Sequence, residues 1–401
     1  MGRLKDTLID PDTFTSRPDR FVSVECFEDA ALRKLIENNL ESKVCSYSGR
    51  RGLKPIAAPL DVVVSHILAS FEQHFEDAAN GVGWEQGYVG DMTLDTYDLV
   101  EETIAFGDDV TGALHGDIAN ALPQRDWSKI DPYGPRRRDV LTWSWRDFTE
   151  TVKHVRRYFF QKQLEPTDWR EEKVSPSALL GEVLRNCEAA GLIRVLPPGQ
   201  RYFRCRSRKK GERFSQPVDL GPPPAAKASQ SRMSPAGISM FYGADEKATA
   251  KAETLEDGQR YAMAEFRTSR AIRLLDLTIR PDVSIFDHHH GHLNEWSHFM
   301  VGFIADFQRP VAHDGEQHIE YVPTQIVTEF IRSWKRKGGL IDGIAYNSVK
   351  NRAGRCVVLF ADPSEVEVAV DPNPKPKGPK LLVMRSVKNH RKYAVSSGPD
   401  R

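Results

Sequence analysis

From about Phe27 the apolar residues fall at intervals of three and four, the spacing that gathers side chains onto one face of a helix. FEDAALRKLIENNL opens this rhythm. LDVVVSHILASFEQHFEDAA continues it, with Ile67, Leu68 and Phe71 as an inward stripe. Shorter helices are expected over DTYDLVEETIAF and ALHGDIANAL. WRDFTETVKHVRRYFFQKQL closes the run, with Phe148, Val152 and Val155 along one side. Residues 20–165 therefore read as an all-α domain, behind a polar, Pro-containing lead-in.

The polar stretch EPTDWREEKVSPS reads as a linker. Ser177 then stands as a cap before ALLGEVLRNCEAAGL, a helix that ends at Gly191. After it the texture changes to short alternating runs punctuated by Gly and Pro. RYFRCRS, GISMFYG, RYAMAEF, IRLLDLTI, IDGIAYNSV and CVVLFA are strand-like. Helices EKATAKAETL, EWSHFMVGFIADF and TQIVTEFIRSWKRKG lie between some of them. There is no regular βαβ alternation, so residues 176–365 are expected to form an α+β domain. Residues 371–401 read as a basic Pro/Lys-containing tail, with room for one more strand at LLVMRSV.

Charge narrows the possibilities. Lys plus Arg and Asp plus Glu are both 56 in 401 residues, so no global basic field recruits nucleic acid. Five cysteines, an odd number, argue against a secreted disulfide framework. MGRLKDTLID has no apolar signal core, and no run approaches the roughly 18 apolar residues of a spanning helix. A cytoplasmic protein without a membrane partner is expected.

Chemistry-bearing residues stand out in the second half. Arg204 alternates with apolar residues in RYFRCRS, and its planar fork suits phosphate or carboxylate. Residue pattern alone favours a solvated edge strand for it. Arg232, between GPPPAAKASQS and SPAG, has little conformational freedom, which suits a ligand or a loop carbonyl equally. Tyr242 ends a strand before a helix that Asp245 could cap. Glu253 lies two turns into that helix, beside a stripe of Ala248, Ala252 and Leu255. DHHHGH (287–292) supplies ligand-type side chains, yet adjacent residues rarely share one metal, and a His-rich loop is the default. Cys26 and Cys45 look like half of a zinc ribbon and cannot alone close a tetrahedral site. No metal is expected. Walker A, G-x-G-x-x-G, G-x-S-x-G and H-E-x-x-H motifs are all absent.

Taken together, residues from about 200 to 362 resemble the RES domain, a family named for an arginine, a glutamate and a serine. YFRCR supplies Arg204, and SRMSPAGISMFYGADEKATAKAE matches the family's Arg–turn–strand–Tyr–helix–Glu block. YVPTQIVTEFIR matches the longer members, and DGIAYNSVKNRAGRCVVLF supplies Ser348. Ser231 and Ser234 stand where the family usually has glycine and asparagine. The first half is similar to the HEPN-like helical domain of those longer members. The two cysteine pairs usual there are reduced to Cys26 and Cys45. The HEPN ribonuclease motif is not met, since Arg146 and His154 are spaced too widely.

The resemblance implies an α+β core like that of ADP-ribosyltransferases and an NAD-consuming toxin of a bacterial toxin–antitoxin pair. NAD is then the substrate, and cleavage of its nicotinamide–ribose bond by a glycohydrolase or phosphorylase the reaction. Protein ADP-ribosylation is the alternative acceptor chemistry. Glu253 would stabilise the developing cation, Arg204 and Arg232 would hold the pyrophosphate, Tyr242 would border the nicotinamide, and Ser348 would bond its amide or the ribose. An Xre-type helix-turn-helix antitoxin is the implied partner. A nucleotide-binding regulatory module without turnover and an RNA-targeting HEPN effector are the competing classes.

Overall fold

The computed structural model describes residues 14–90, 92–108, 110, 112–159, 173–309, 316–335, 338–368 and 380–393. Its contacts gather into two compact units: residues 1–136 with 282–294, and residues 137–281 with 295–401.

Among its described residues the first unit sets five α-helices beside two small sheets, and three of those helices start at an aspartate cap. α1 (Ala30–Glu37) follows β1 (Phe21–Ser23) and is capped by Asp29, whose carboxylate accepts from the amides of Ala31 and Leu32. β2 (Ala57–Pro59) pairs with β1 and leads into α2 (Leu60–His74), which buries the expected Ile67, Leu68 and Phe71. The helical rhythm past residue 74 breaks into β3 (Phe75–Asp77) and the single turn α3 (Ala78–Gly81). β4 (Thr93–Asp95), α4 (Thr96–Thr103), α5 (Ala113–Ala121) and β5 (Asp126–Lys129) complete the unit, with strand order β3-β5-β4. Residues 282–294 belong here too. Phe286 enters the same apolar core as Phe71 and Trp127, and His288 stacks on His66 with ring centroids 3.7 Å apart.

The second unit begins with α6 (Arg137–Glu150). Its Trp145 lies edge-on against Phe303, and the indole N–H donates to Asp306 at 2.7 Å. Those partners decide where the helix packs. A π-helical turn, 151–155, follows and changes the residue rotation, so Val152 stays buried while the expected Val155 is 74% exposed. The linker at EPTDWREEKVSPS lies mostly outside the described residues.

α7 (Pro176–Ala189) is capped by Ser175 rather than Ser177. Proline suits the first helical position, and the Ser175 hydroxyl accepts from the Ala178 amide at 3.4 Å. β6 (Ile193–Leu196), β7 (Arg201–Ser207), α8 (Pro217–Leu220), β8 (Phe241–Ala244) and α9 (Lys247–Thr254) come next. Then follow β9 (Tyr261–Thr268), β10 (Ile272–Asp276), α10 (Asn294–Gln308), α11 (Gln317–Glu320) and α12 (Val322–Ser333). β11 (Gly343–Asn347), β12 (Arg355–Leu359), β13 (Val366–Val368) and β14 (Leu382–His390) close the chain.

All nine strands join one mixed sheet, ordered β13-β14-β9-β7-β8-β12-β11-β10-β6. β14 occupies part of the stretch expected to be a tail. It runs antiparallel to β9 from Leu382 opposite Thr268 to His390 opposite Tyr261. Leu382, Val383 and Met384 are all buried, so both faces of the sheet are covered at this end of β14. Successive residues of β7 serve the two faces of the sheet: Tyr202 joins Phe241 and Phe266 on one, and Phe203 joins Ala244 and Cys356 on the other. The fold class is α+β, and among the described residues no helix is long and apolar enough to cross a membrane.

Candidate active site

β7 and β8 are paired at a single position, Phe203 opposite Ala244. Continued antiparallel pairing would set Arg204 against Gly243 and Cys205 against Tyr242, and the ladder contains neither pair. The two strands are thus unzipped where both proposed ligand-binding side chains sit. A cavity of about 480 Å³ lies at this opening, within the size range of small-molecule sites. Arg204, Arg232, Tyr242 and Glu253 all line it, together with Phe203, Tyr346 and Lys350.

Arg204 sits with its guanidinium carbon 5.6 Å from the centre of the Phe241 ring. Its Nη1 is buried and has no hydrogen-bond partner. Burial pushes the guanidinium down to about 10, so it stays cationic at neutral pH. A buried, charged, unsatisfied donor beside a cavity is costly unless an anion completes it.

Arg232 lies in a tight turn in which Ser231 and Ser234 exchange backbone hydrogen bonds. Two buried residues of α12 hold that turn. Thr324 donates to the Arg232 carbonyl at 2.5 Å, and Gln325 donates to the Ser231 carbonyl at 2.8 Å. One guanidinium nitrogen donates at 2.7 Å to the Phe307 carbonyl, which belongs to the last turn of α10 rather than to a loop. Serine in place of the family's asparagine keeps a polar contact: the Ser234 and Tyr242 hydroxyls are 3.0 Å apart. Burial raises Tyr242 above the ordinary phenol range and raises Tyr346 well above it, so both are neutral hydroxyls at pH 7.

α9 matches the expected stripe only in part, keeping Leu255 inward and turning Ala248 out. Its N-cap is Glu246 rather than Asp245, whose amide donates to the Arg355 carbonyl instead. Thr249, Ala250 and Leu255 are buried, and Ala248 is exposed. Residues three and four positions apart share a face, so Glu253 sits on the side of Thr249 and Ala250. Its carboxylate accepts a short hydrogen bond from the buried Ser348 hydroxyl.

Ser348 is fixed by the turn between β11 and β12. Its hydroxyl accepts from the Asn351 amide at 2.9 Å, and its own amide donates to the Gly354 carbonyl at 2.8 Å. Asn351 ties the turn to α9 by donating from Nδ2 to the Thr249 hydroxyl at 2.8 Å. Gly354 permits this closeness, because a Cβ there would fall 2.2 Å from that hydroxyl oxygen. Gly354→Ala is expected to destabilise the protein by about 1–3 kcal/mol in denaturant unfolding, as overpacking does. Unchanged stability would mean that the turn is not seated on α9.

The structure therefore gathers all five sequence-picked residues, four lining the cavity and Ser348 bonded to one of them. Thr249, Asn351, Thr324 and Gln325 were missed, as was Tyr346, although it alternates with Ser348 in IAYNSV. Arg146 and His154 are both exposed side chains of the second unit. In the DHHHGH loop, Asp287 accepts from the amides of His289 and His290, as in an Asx turn. Among the described residues no group of three His, Cys, Asp or Glu side chains is placed to hold a metal ion.

Residues 38–166 match HEPN/RES N-terminal domain 1, and residues 201–379 match the RES domain. No curated protein and no solved structure matches the chain.

Proposed function

We propose that this RES domain protein, with its HEPN/RES N-terminal domain ahead of the RES domain, consumes NAD by cleaving the nicotinamide–ribose bond. One observation carries the reading: an arginine, a tyrosine and a glutamate from three separate elements line one cavity, and the glutamate is held by a buried serine. Bond cleavage at the ribose passes through an oxocarbenium-like state. A carboxylate fixed beside C1′ stabilises that charge as it develops. Glu253 takes this role. Ser348 spends its proton on one carboxylate oxygen, leaving the other for the ribose. Arg204 and Arg232 bind the pyrophosphate, and that anion completes the open donor of Arg204. Tyr242 borders the nicotinamide ring.

Mass spectrometry after incubation with NAD, with and without phosphate, tests the reading. Nicotinamide with ADP-ribose marks a glycohydrolase. A phosphorylated ADP-ribose formed only with phosphate marks a phosphorylase, and a mass gain on protein marks a transferase. Intact NAD under all conditions sinks the proposal, and NAD bound but unchanged supports a regulatory module. The resemblance to toxins adds an expected phenotype: expression in a bacterial host lowers NAD and arrests growth, and Glu253→Gln relieves both.

Asn351 acts through Ser348 and Glu253 rather than on substrate. Asn351→Ala is expected to lower kcat about tenfold with KM little changed, the signature of an interaction made in the transition state. Asn351→Asp, which keeps an acceptor but loses the donor to Thr249, should not restore it. Equal kcat in Asn351→Ala and wild type would remove the positioning role.

A further inference from the structure

Two loops of the first unit bring a pair of buried thiols together. Cys26 and Cys45 are both free, are 0% and 2% exposed, and have their sulfurs 3.6 Å apart. Serines complete the group at matching spacing, Ser23 three residues before Cys26 and Ser48 three residues after Cys45. Ser23 Oγ is 3.7 Å from Cys26 Sγ and 3.4 Å from Ser48 Oγ. The Cys45 sulfur accepts from the amides of Tyr47 and Ser48 at 3.5 and 3.4 Å. Arg50 pairs with Glu25 at 2.9 Å, joining the two loops a second time.

Two corners of this four-sided group are neutral hydroxyls. They do not replace thiolates as soft donors, so the cluster lacks the ligand set of a structural zinc site. Dithiol chemistry remains open to it. We propose that Cys26 and Cys45 are a redox-active pair that hydrogen peroxide converts to a disulfide, clasping the two loops across 19 positions of sequence. Bonding closes the gap between the sulfurs from 3.6 Å to about 2.05 Å.

The electrons balance in two steps. The Cys45 thiolate displaces hydroxide from peroxide and becomes a sulfenic acid. The Cys26 thiol then attacks that sulfur, forming the S–S bond, and its proton leaves with the departing hydroxide as water. The net change is two thiols and one peroxide to one disulfide and two waters. The roles follow from the hydrogen bonds. The hydrogen bond shared by the two sulfurs pushes the Cys45 thiol down and Cys26 up, and the amides of Tyr47 and Ser48, which donate to the Cys45 sulfur, favour the thiolate there. Peroxide is small enough to reach sulfurs this buried, which bulky disulfides are not.

The test uses the full chain, reduced and then freed of reductant. After peroxide treatment and denaturing alkylation, peptide mass spectrometry is expected to find the Cys26 and Cys45 peptides joined, two hydrogens lighter than the reduced pair. Thermal unfolding is expected to move up by several degrees, to return with dithiothreitol, and to be peroxide-insensitive in Cys26→Ser. Two outcomes would overturn the proposal. One is full alkylation of both cysteines after peroxide in the folded protein. The other is one equivalent of zinc that co-purifies and shields both thiols. Neither readout depends on NAD turnover.

Discussion

Glu253→Gln is expected to lose NAD turnover by a factor of about 10²–10³ while keeping the fold. The magnitude follows from removing one preorganised charge that faces a developing charge of opposite sign. Fold retention follows from geometry. Glutamine keeps the length of the side chain and an amide oxygen able to accept from Ser348, so the contact between α9 and the β11–β12 turn survives. The loss should fall on kcat, because the ground-state sugar carries no full positive charge for Glu253 to attract. Single-turnover rates with NAD, beside an unfolding curve, measure both halves. Turnover within threefold of wild type would refute the assignment of Glu253, whichever acceptor chemistry the products reveal.

Arg204→Met is expected to make the empty protein more stable and unable to bind NAD. Burial lowers this guanidinium to about 10. A base whose affinity for protons falls on folding is worse off charged in the folded chain than in the unfolded one. The whole penalty is therefore present below pH 10, and stability recovers only as pH rises above about 10. Its size is on the order of 3 kcal/mol. Methionine keeps apolar contact with Phe241 and removes the buried charge, a change that often stabilises. NAD should raise the melting temperature of wild type and leave that of the variant unmoved. A variant that melts lower, or that NAD still stabilises, would contradict the account. The stabilisation half stands on burial alone, so it can hold even if the ligand is another phosphate-bearing molecule.

Much of this site was legible because its parts are local patterns. RYFRCRS alternates and becomes β7 over the same residues, and the Arg232–Tyr242–Glu253 block keeps a fixed order along the chain. What holds those parts in place is not local. Asn351 meets Thr249 from 102 positions away, and Gln325 meets the Ser231 carbonyl from 94. Single polar residues with no repeated spacing give no signal until the sheet brings them together. Helix α6 shows the same limit in another form. Its period of three and four is plain, yet what it packs against is not: Trp145 meets Asp306 from 161 positions away. Val155 failed because the period itself changes at the π-turn, which no hydrophobic pattern announces.

The segment 282–294 carries a consequence for how the chain is made. The first unit needs Phe286 in its core, so it cannot finish folding when residue 136 leaves the ribosome. It waits for residues 137–281, which at 5–20 residues per second takes about 7 to 30 seconds. During that interval the core around Phe71 and Trp127 lacks one of its aromatic members while most of the second unit is already being synthesised. The two units are interleaved along the chain: when 282–294 emerges to complete the first, the second still lacks residues 295–401. A cut at residue 136 would likewise yield an N-terminal fragment with a hole and a C-terminal fragment with an unpartnered aromatic loop.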